Sequence, residues 1–273
     1  IDLHMHTTFS DGRWPADQLL DYLVSEGFAL VAITDHDRVD TQNVIQPLAQ
    51  EKGLPVLVGV EMTTQWNGIM GDVLCYGFDP DTPDLRAVAA SVVERQYANT
   101  LAVLEELKRK GYEFPRQAEV LQESDGEPRL PRDNIALLRQ HGYATDWHSG
   151  VQILQEAGFV SIKADMGETV EAVHRGGGVT LIAHPGRKER GFTFYELDLL
   201  EKVLADVPLD GIEVIHPSHS AEITDAYYAY ARKRHLLVST GSDSHSIPGR
   251  MPKKHRAELS RDLLERVGIQ IAE

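Results

Sequence analysis

Short apolar runs rich in β-branched residues alternate along this chain with longer segments whose apolar residues recur at helical spacing. Runs of the first kind predict strands, and apolar residues at i, i+3 and i+4 predict amphipathic helices. Their alternation is typical of an α/β fold with parallel strands. The predicted strands are residues 1–6, 30–34, 56–61, 73–78, 179–184, 212–216 and 236–240, and the predicted helices are residues 15–26, 44–52, 168–174, 195–205 and 221–234.

The order of these elements favours a distorted (β/α)7 barrel of the TIM type over an open doubly wound sheet. No Gly-x-Gly-x-x-Gly follows a predicted strand, which weakens a dinucleotide-binding interpretation. Residues 85–161 break the alternation with a polar, helical pattern, including a long helix through Lys110 and a Pro-, Glu- and Asp-rich loop at 123–131. We predict a catalytic barrel formed by residues 1–84 and 162–273, and a helical insertion, residues 85–161, that caps the active site. A separately folding domain is the alternative for this insertion.

Composition narrows the class of protein. Of 273 residues, 42% are hydrophobic and 25% are charged, as in an ordinary soluble protein. No apolar run approaches the roughly 20 residues that span a bilayer. We expect no secretory signal, although a chain that starts at Ile1 is expected to have lost a few residues. The single cysteine, Cys75, excludes an internal disulfide and favours a reducing, cytoplasmic location.

The net charge of −15 argues against membrane binding and against strong binding of duplex nucleic acid. It leaves room for a small phosphorylated substrate, because cations and a few arginines can make one pocket locally positive. The twelve histidines are many for this length, and several lie at the ends of apolar runs. Their distribution therefore directs attention to the strand ends.

At the N-terminus, Asp2, His4 and His6 occupy alternate positions. In an extended strand such residues point to one face, where two imidazoles can bind one divalent cation. An H-x-H pair alone is weak evidence, since a partly buried polar strand end has the same pattern. Its weight grows because residues of the same types lie near the ends of other predicted strands, namely Asp11, Asp35, His36, Asp37, Glu61, Asp72 (just before its strand), His184, His216, His219, Asp243 and His245.

Functional groups of α/β barrels collect at the C-terminal ends of the strands. Neutral imidazoles combined with carboxylates suit Zn, Mn or Fe, and a carboxylate can bridge two cations. Adjacent cations activate water and neutralise the charge that builds up on a phosphoryl group. The combined pattern therefore indicates a metal-dependent hydrolase.

Six motifs carry a resemblance to a known family. D-L-H-M-H at residues 2–6, S-D-G at 10–12, I-T-D-H-D at 33–37, G-V-E at 59–61, A-H-P-G-R at 183–187 and G-S-D-S-H at 241–245 resemble, in order and spacing, those of the PHP (polymerase and histidinol phosphatase) phosphoesterases. The resemblance spans nearly the whole chain outside the insertion. It is greatest for small stand-alone members, which include nucleoside 3′,5′-bisphosphate phosphatases and a 5′→3′ exoribonuclease.

By position, the resemblance implies three metal subsites that hold two to three divalent ions of Mn, Fe or Zn. The first would be held by His4, His6, Glu61 and Asp243, the second by Glu61, His184 and Asp72, and the third by Asp11, His36 and His245. Position 72 departs from the family, where many relatives carry His. An Asp there would favour Mn or Fe over Zn, or would leave the second subsite weak or water-filled.

Other residues are candidates for supporting roles. Asp2 and Asp35 are expected to accept hydrogen bonds that orient ligand imidazoles. Arg187 is well placed to bind a phosphate through its guanidinium group. The resemblance implies that His219 contacts the substrate, and we predict that it is also the catalytic acid, with a metal-bound water as the alternative. His216 is predicted to be a metal neighbour or a phosphate donor, and Arg132, Asn134 and Lys163 are further candidate substrate contacts.

The sequence thus predicts a metal-dependent phosphoesterase that hydrolyses a small nucleotide, such as a nucleoside 3′,5′-bisphosphate, through metal-activated hydroxide. A 5′→3′ exonuclease on short oligonucleotides would use the same chemistry in a longer groove. An amidohydrolase-type C–N hydrolase also starts with H-x-H, but no lysine suited to bridging its metals is found at a middle strand end. A non-catalytic metal-binding regulatory domain is the remaining alternative.

Overall fold

The structure, a computed structural model, describes residues 1–189, 191–246 and 249–271. The chain divides into two compact units. The first comprises Ile1–Ala90 and Lys163–Glu273, and the second comprises Ser91–Ile162. The capping role of residues 85–161 stays a prediction.

The described residues of the first unit combine short strands with helices. The strands are β1 (Val31–Ala32), β2 (Val56–Leu57), β3 (Gly59–Trp66), β4 (Ile69–Tyr76), β5 (Ala164–Asp165), β6 (Val179–Ile182), β7 (Gly211–Ile215) and β8 (Leu237–Thr240). The helices are α1 (Ala16–Ser25), α2 (Gln42–Lys52), α7 (Met166–Arg175), α8 (Leu197–Asp206), α9 (Ala221–Arg234) and α10 (Arg261–Arg266), numbered in chain order with those of the second unit. The α/β class is therefore confirmed.

Local sequence explains where several helices begin. The side chain of Ser220 accepts the backbone N–H of Ile223 and caps α9, and Asp165 accepts the N–H of Glu168 and caps α7. Such caps satisfy donors that have no partner within the helix. Helix α9 has the bounds that the apolar spacing predicts.

The central hairpin corrects the predicted parallel arrangement. Strands β3 and β4 pair antiparallel, and β4 also pairs antiparallel with β6. Asn67 and Gly68 join β3 to β4 with φ values of 50° and 79°, as a two-residue hairpin turn requires. Because such a turn reverses the chain, β4 cannot run parallel to β3. Asp72, predicted just before its strand, consequently lies within β4.

The main sheet has the strand order β5-β3-β4-β6-β7-β8, and β1 pairs with β2 separately. Residues 1–6, predicted as a strand, form only isolated bridges, Asp2 with Val31 and Met5 with Ser244. Backbone bonds place this segment between β8 and β1, since Leu3 N–H donates to Thr240 O and Thr34 N–H donates to Met5 O. No closed sheet forms within the described residues, so the barrel is not confirmed.

The core of the first unit lies between the sheet and its helices. Val60, Met62, Val73 and Ile182 are fully buried on the sheet and belong to one apolar cluster with residues of α7, α8 and α9. Cys75 is buried in the same cluster. The apolar core thereby fixes the strands whose polar residues build the site.

The second unit contains α4 (Gln117–Val120), α5 (Pro131–Gln140), α6 (Trp147–Glu156) and much of α3 (Pro83–Arg109), a helix that begins in the first unit. Its core is apolar and includes Val103, Leu107, Ile135, Leu138 and Leu154. Among the helices that the structure describes, none combines the length and the apolar character needed to cross a membrane.

Candidate metal centre

The nine predicted metal ligands come from distant parts of the sequence and fall into three overlapping groups. Within each group, the candidate ligand atoms lie within 4.8 Å of one another. We name them the deep group (His4, His6, Glu61 and Asp243), the bridging group (Glu61, Asp72 and His184) and the outer group (His6, Asp11, His36 and His245). Glu61 belongs to the first two groups, and His6 belongs to the deep and outer groups.

The deep group converges on one carboxylate. Glu61 Oε2 lies 2.9 Å from His4 Nε2 and 3.1 Å from His6 Nε2. Asp243 Oδ1 lies 3.3 Å from His6 Nε2 and 3.6 Å from His4 Nε2. The side chains are at most 2% exposed. Two carboxylates and two imidazoles are therefore held together away from water.

The bridging group uses the other oxygen of Glu61. Glu61 Oε1 lies 3.0 Å from His184 Nε2, which is 3.7 Å from Asp72 Oδ2. Asp72 Oδ1 is buried and has no hydrogen-bond partner among the described residues. A buried, unpaired carboxylate oxygen is costly unless a ligand completes it. Asp72 thus fits a cation ligand, although its position departs from the family pattern.

The outer group is open to solvent. His245 Nε2 lies 3.2 Å from Asp11 Oδ1, and their side chains are 31% and 44% exposed. His36 is 25% exposed, whereas His6 is fully buried. His6 Nδ1, which faces Asp11 Oδ1 at 3.8 Å, has no hydrogen-bond partner among the described residues. The two ring nitrogens of His6 therefore face different groups.

The electrostatics of the centre favour bound positive charge. Burial lowers the pKa of His6, but hydrogen bonds to Asp243 and Glu61 outweigh it and raise the pKa to about 10. Burial also lowers the pKa values of His4, His36 and His184, but the neighbouring carboxylates raise them by more, so the pKa of each histidine is raised. Burial and the charge of Glu61 raise the pKa of Asp72. A field that holds protons on imidazoles also attracts divalent cations, which displace those protons on binding. The donor set therefore fits divalent metal ions.

Two of the candidate ligands have unusual backbone conformations. His184 follows β6 with φ of 30°, and Asp243 follows β8 with φ of 51°. Residues other than glycine at positive φ cost about 1–3 kcal/mol each and persist only where the surroundings hold them. Asp243 N–H donates to His4 O at 2.8 Å, and His184 N–H donates to Glu213 Oε2 at 2.7 Å. The fold thus stabilises strained turns that direct these two side chains into the centre.

The predicted orienting role of Asp2 and Asp35 needs correction. Asp35 accepts hydrogen bonds from the Thr7 N–H, the Thr7 hydroxyl and the Ser10 hydroxyl. Asp2 accepts the backbone N–H groups of His4, Ser242 and Lys253. In the described hydrogen bonds, both carboxylates therefore hold the loops that carry candidate ligands, rather than imidazole rings.

A cavity of about 390 Å³ opens onto all three groups. Arg187 and Arg250 line it, and both reach Asp243 Oδ2, with Arg187 Nη1 at 3.3 Å. Phe192 supports Arg187, whose guanidinium carbon lies 3.5 Å from the ring centroid. Arg187 therefore lies beside the centre, and its binding of a phosphate stays a prediction. Sequence reasoning missed Arg250 and Phe192, because neither belongs to a motif.

His219 lies close to the centre but is not arranged as an acid. Its Nδ1–H donates to Val214 O at 2.9 Å, and its Nε2 accepts Gly186 N–H at 3.0 Å. Burial lowers its pKa. Because backbone groups occupy both ring nitrogens, the predicted roles in catalysis and substrate contact find no support in this geometry. The ring instead holds the loop that carries His184.

His216 is a neighbour of a candidate ligand. Its Nδ1 accepts Ser218 N–H at 3.1 Å, so its Nε2–H donates to Asp243 Oδ2 at 3.3 Å. Burial lowers the pKa of His216 to about 4. Of the two roles predicted for it, the geometry favours the metal neighbour.

The remaining predicted substrate contacts are Arg132, Asn134 and Lys163, of which the first two belong to the second unit. Asn134 is fully buried within the second unit, and its amide donates to Thr100 O at 2.9 Å; its predicted substrate contact stays a prediction. Arg132 lies in the same unit, with Nε 4.0 Å from Asp133 Oδ1. Lys163 is half-buried next to β5.

Glu213 is a buried carboxylate that sequence reasoning missed. It lies within β7, and its Oε1 accepts His4 Nδ1–H at 3.0 Å. Burial opposes ionisation, but His4 and His216 lower its pKa to about 2. The available signal was an acid in the middle of an apolar predicted strand, a place where an unpaired charge is unfavourable.

Comparisons with known proteins identify phosphoesterases similar to this chain. The chain is 28% identical to the phosphoribosyl 1,2-cyclic phosphate 1,2-diphosphodiesterase of Eggerthella lenta, over 92% of this chain and 96% of that protein. It is 29% identical to the 3′,5′-nucleoside bisphosphate phosphatase of Chromobacterium violaceum, over 91% of this chain and 88% of that protein. The solved structure of a candidate metal-dependent phosphoesterase from Bifidobacterium adolescentis superposes with a TM-score of 0.81 at 25% identity, covering 97% of this chain and 95% of that one.

The family model described as the PHP domain matches residues 2–142, which include the motifs of His4, Asp11, His36 and Glu61. The remaining candidate ligands, which come from later in the chain, join these residues in the same groups. The chain therefore belongs to the PHP domain family, and it is a metal-dependent phosphoesterase of that family.

Proposed function

We propose that this phosphoesterase hydrolyses a phosphate ester of a small nucleotide, such as a nucleoside 3′,5′-bisphosphate. The observation that carries the proposal is the position of Glu61, whose two oxygens reach the deep and bridging groups beside a cavity that two arginines line. A bridging carboxylate next to arginines suits cations that work together on a phosphoryl group.

The ligand assignment follows the three groups. The deep group would hold one cation and the bridging group a second, with Glu61 shared between them. The outer group would hold a third, through Asp11, His36 and His245. When bound, such cations activate water and offset the negative charge that develops on phosphorus. Two to three ions of Mn, Fe or Zn are therefore the proposed cofactors. We propose that the strands and helices around them form a distorted barrel of the TIM type.

Arg187 and Arg250 would bind the phosphate. A guanidinium group offers several N–H donors to phosphate oxygens, and hydrogen bonds between charged partners are stronger than neutral ones. Both arginines contact Asp243 in the structure, so they lie beside the group that would hold a cation. The Phe192 ring under Arg187 keeps its guanidinium plane in place.

The size of the cavity and the relatives support a small substrate. A volume of about 390 Å³ lies at the small end of ligand pockets. The relative from Chromobacterium violaceum is named for a nucleoside bisphosphate, and the relative from Eggerthella lenta for a phosphoribosyl cyclic phosphate. Both names place the phosphate on a sugar, which is the chemistry we propose for this chain.

The two other classes have less support. An amidohydrolase-type centre would need a bridging lysine, and no lysine is among the described residues that line the cavity. A regulatory domain without catalysis would have no need of a complete ligand set, whereas here all nine candidate ligands fall into the groups.

The test is a substrate panel on the Mn²⁺-loaded enzyme, with inorganic phosphate and the released nucleotide, nucleoside and sugar products measured together by chromatography. The panel contains a nucleoside 3′,5′-bisphosphate, a ribose 1,2-cyclic phosphate and a short 5′-phosphorylated oligoribonucleotide. We expect the bisphosphate to be hydrolysed with the highest kcat/KM. Preference for the oligonucleotide, with activity that falls steeply with salt, would favour the exonuclease. No hydrolysis of any of the three would contradict the proposal.

A further inference from the structure

Glu213 lies outside the three groups but connects two of them. Its side chain is fully buried, and it does not line the cavity. One carboxylate oxygen accepts the ring Nδ1–H of His4 at 3.0 Å, and the other accepts the backbone N–H of His184 at 2.7 Å. Each oxygen of this buried carboxylate thus accepts a hydrogen bond from a different candidate metal ligand.

The bond to His4 determines which ring nitrogen faces the centre. A carboxylate only accepts hydrogen bonds, so His4 Nδ1 must carry the proton. The other nitrogen, Nε2, lies 2.9 Å from Glu61 Oε2, and its lone pair becomes available to a cation that displaces its proton. Without this acceptor, the neutral ring would be free to place its proton on Nε2 and lose the ability to bind a cation there.

The bond to His184 supports a strained turn. His184 has φ of 30°, which a residue other than glycine rarely adopts. In this conformation its Nε2 lies 3.0 Å from Glu61 Oε1. A hydrogen bond to the N–H of that same residue stabilises the turn, and with it the position of the ring.

We propose that Glu213 is a positioning residue of the metal centre, which sets the proton position of His4 and the backbone of His184 so that both rings face Glu61. The proposal rests on the metal centre under Proposed function, but not on the identity of the substrate. Loss of such an acceptor typically weakens metal binding by about 10- to 100-fold.

Glu213→Gln is the informative variant, because it keeps the size of the side chain. An amide has one accepting oxygen and one donating nitrogen. If the oxygen faces His4, the amide NH₂ faces the N–H of His184, and two donors oppose each other. If the amide turns round, the NH₂ faces His4 Nδ1 and forces its proton onto Nε2. Either orientation disturbs one candidate ligand.

Asp210 offers a matched control. Like Glu213, it accepts one ring N–H and one backbone N–H, from His174 at 2.8 Å and Thr180 at 2.8 Å, although both donors reach the same oxygen, Oδ2. His174 belongs to none of the three groups. Asp210→Asn therefore makes the same acid-to-amide change beside a histidine away from the centre. Because the amide oxygen can keep both hydrogen bonds, we expect no change in metal affinity.

The measurements are the Mn²⁺ affinity of the metal-free proteins by calorimetry and the exchange rate of the His184 amide. We expect Glu213→Gln to raise the Mn²⁺ Kd by about 10- to 100-fold and to speed amide exchange at His184, while Asp210→Asn does neither. Equal Mn²⁺ affinity in wild type and Glu213→Gln would overturn the positioning role. Failure of the wild type to bind Mn²⁺ would instead overturn the proposed metal centre.

If Glu213→Gln does not fold, the wild-type protein answers the same question. Loaded with diamagnetic Zn²⁺ and labelled with ¹⁵N-histidine, it should show a proton on His4 Nδ1 and none on Nε2. A proton on Nε2, with the cation on Nδ1, would contradict the proposal.

Discussion

The deep and outer groups share His6 but lie in different surroundings. Side chains of the deep group are at most 2% exposed, whereas Asp11, His245 and His36 of the outer group are 44%, 31% and 25% exposed. A charged side chain that is buried away from water needs a partner inside the protein, whereas water itself stabilises a charged side chain at the surface. The deep group therefore depends on a cation more strongly than the outer group does.

The two groups are also supported differently. Glu213 holds His4, and Asp243 accepts hydrogen bonds through its second oxygen. In the outer group, Asp11 is the most exposed of the four side chains. It lies on a loop that Asp35 holds through hydrogen bonds from Thr7 and Ser10. The comparison indicates a firmly held inner cation and a more exchangeable outer one.

Metal removal should have the largest effect and should separate the two groups. We expect a chelator to remove ions from the wild-type protein in two phases, with the outer ion lost first and activity abolished when all are lost. Elemental analysis of samples taken over time measures this directly. Loss of all ions in one phase would show that burial does not distinguish the groups.

The next largest effect is expected for Asp243→Asn. This variant removes a charge that faces both imidazoles of the deep group and both arginines. We expect kcat/KM to fall about a thousandfold, equivalent to ~4 kcal/mol, with the loss of at least one metal equivalent. Asp198→Asn, an exposed position in α8, is the control. Full metal content in Asp243→Asn would contradict its assignment as a ligand.

Asp11→Asn should cost less, because the outer group is solvated. We expect about a 10- to 100-fold loss of kcat/KM and the selective loss of the exchangeable ion, with the deep ion retained. Metal content and kinetics measured on the same sample test this. If Asp11→Asn lost as much metal as Asp243→Asn, the two groups would behave as one cooperative centre.

The smallest effect is expected for Arg250→Ala, which leaves every candidate ligand in place. We expect KM to rise about tenfold, the value of one hydrogen bond between charged groups, with metal content unchanged. Arg250→Lys should restore part of the affinity, since it keeps the charge but not the geometry of the guanidinium group. A fall in metal content would instead assign Arg250 to support of the deep group.

Much of the centre could be predicted because its residues carry local signals. His4 and His6 alternate as in a strand, and Glu61, His184 and Asp243 each come at or near the end of an apolar run. Apolar periodicity likewise predicts helix α9 with its observed bounds. These signals lie within a few residues, where backbone geometry alone decides which side chains share a face.

Other features depend on a reversal of the chain or on partners that are distant in sequence. The direction of β4 follows from the Asn67-Gly68 turn, a local signal that outweighs the alternation of strands and helices typical of parallel sheets. His219 resembles a substrate contact until its two backbone partners, Val214 and Gly186, are known. The amide of Asn134 likewise bonds to Thr100 in the core of the second unit, a contact that sequence spacing does not reveal.

The sequence by itself determined the types of ligand, their order and the alternation of strands and helices, because these depend on neighbouring residues. Only the tertiary structure decided that one glutamate faces two groups, that Arg250 joins Arg187, and that Glu213 holds His4 from 209 residues away. A buried charge takes its partner from whichever segment the packing of the core brings near, and sequence spacing carries no record of that choice.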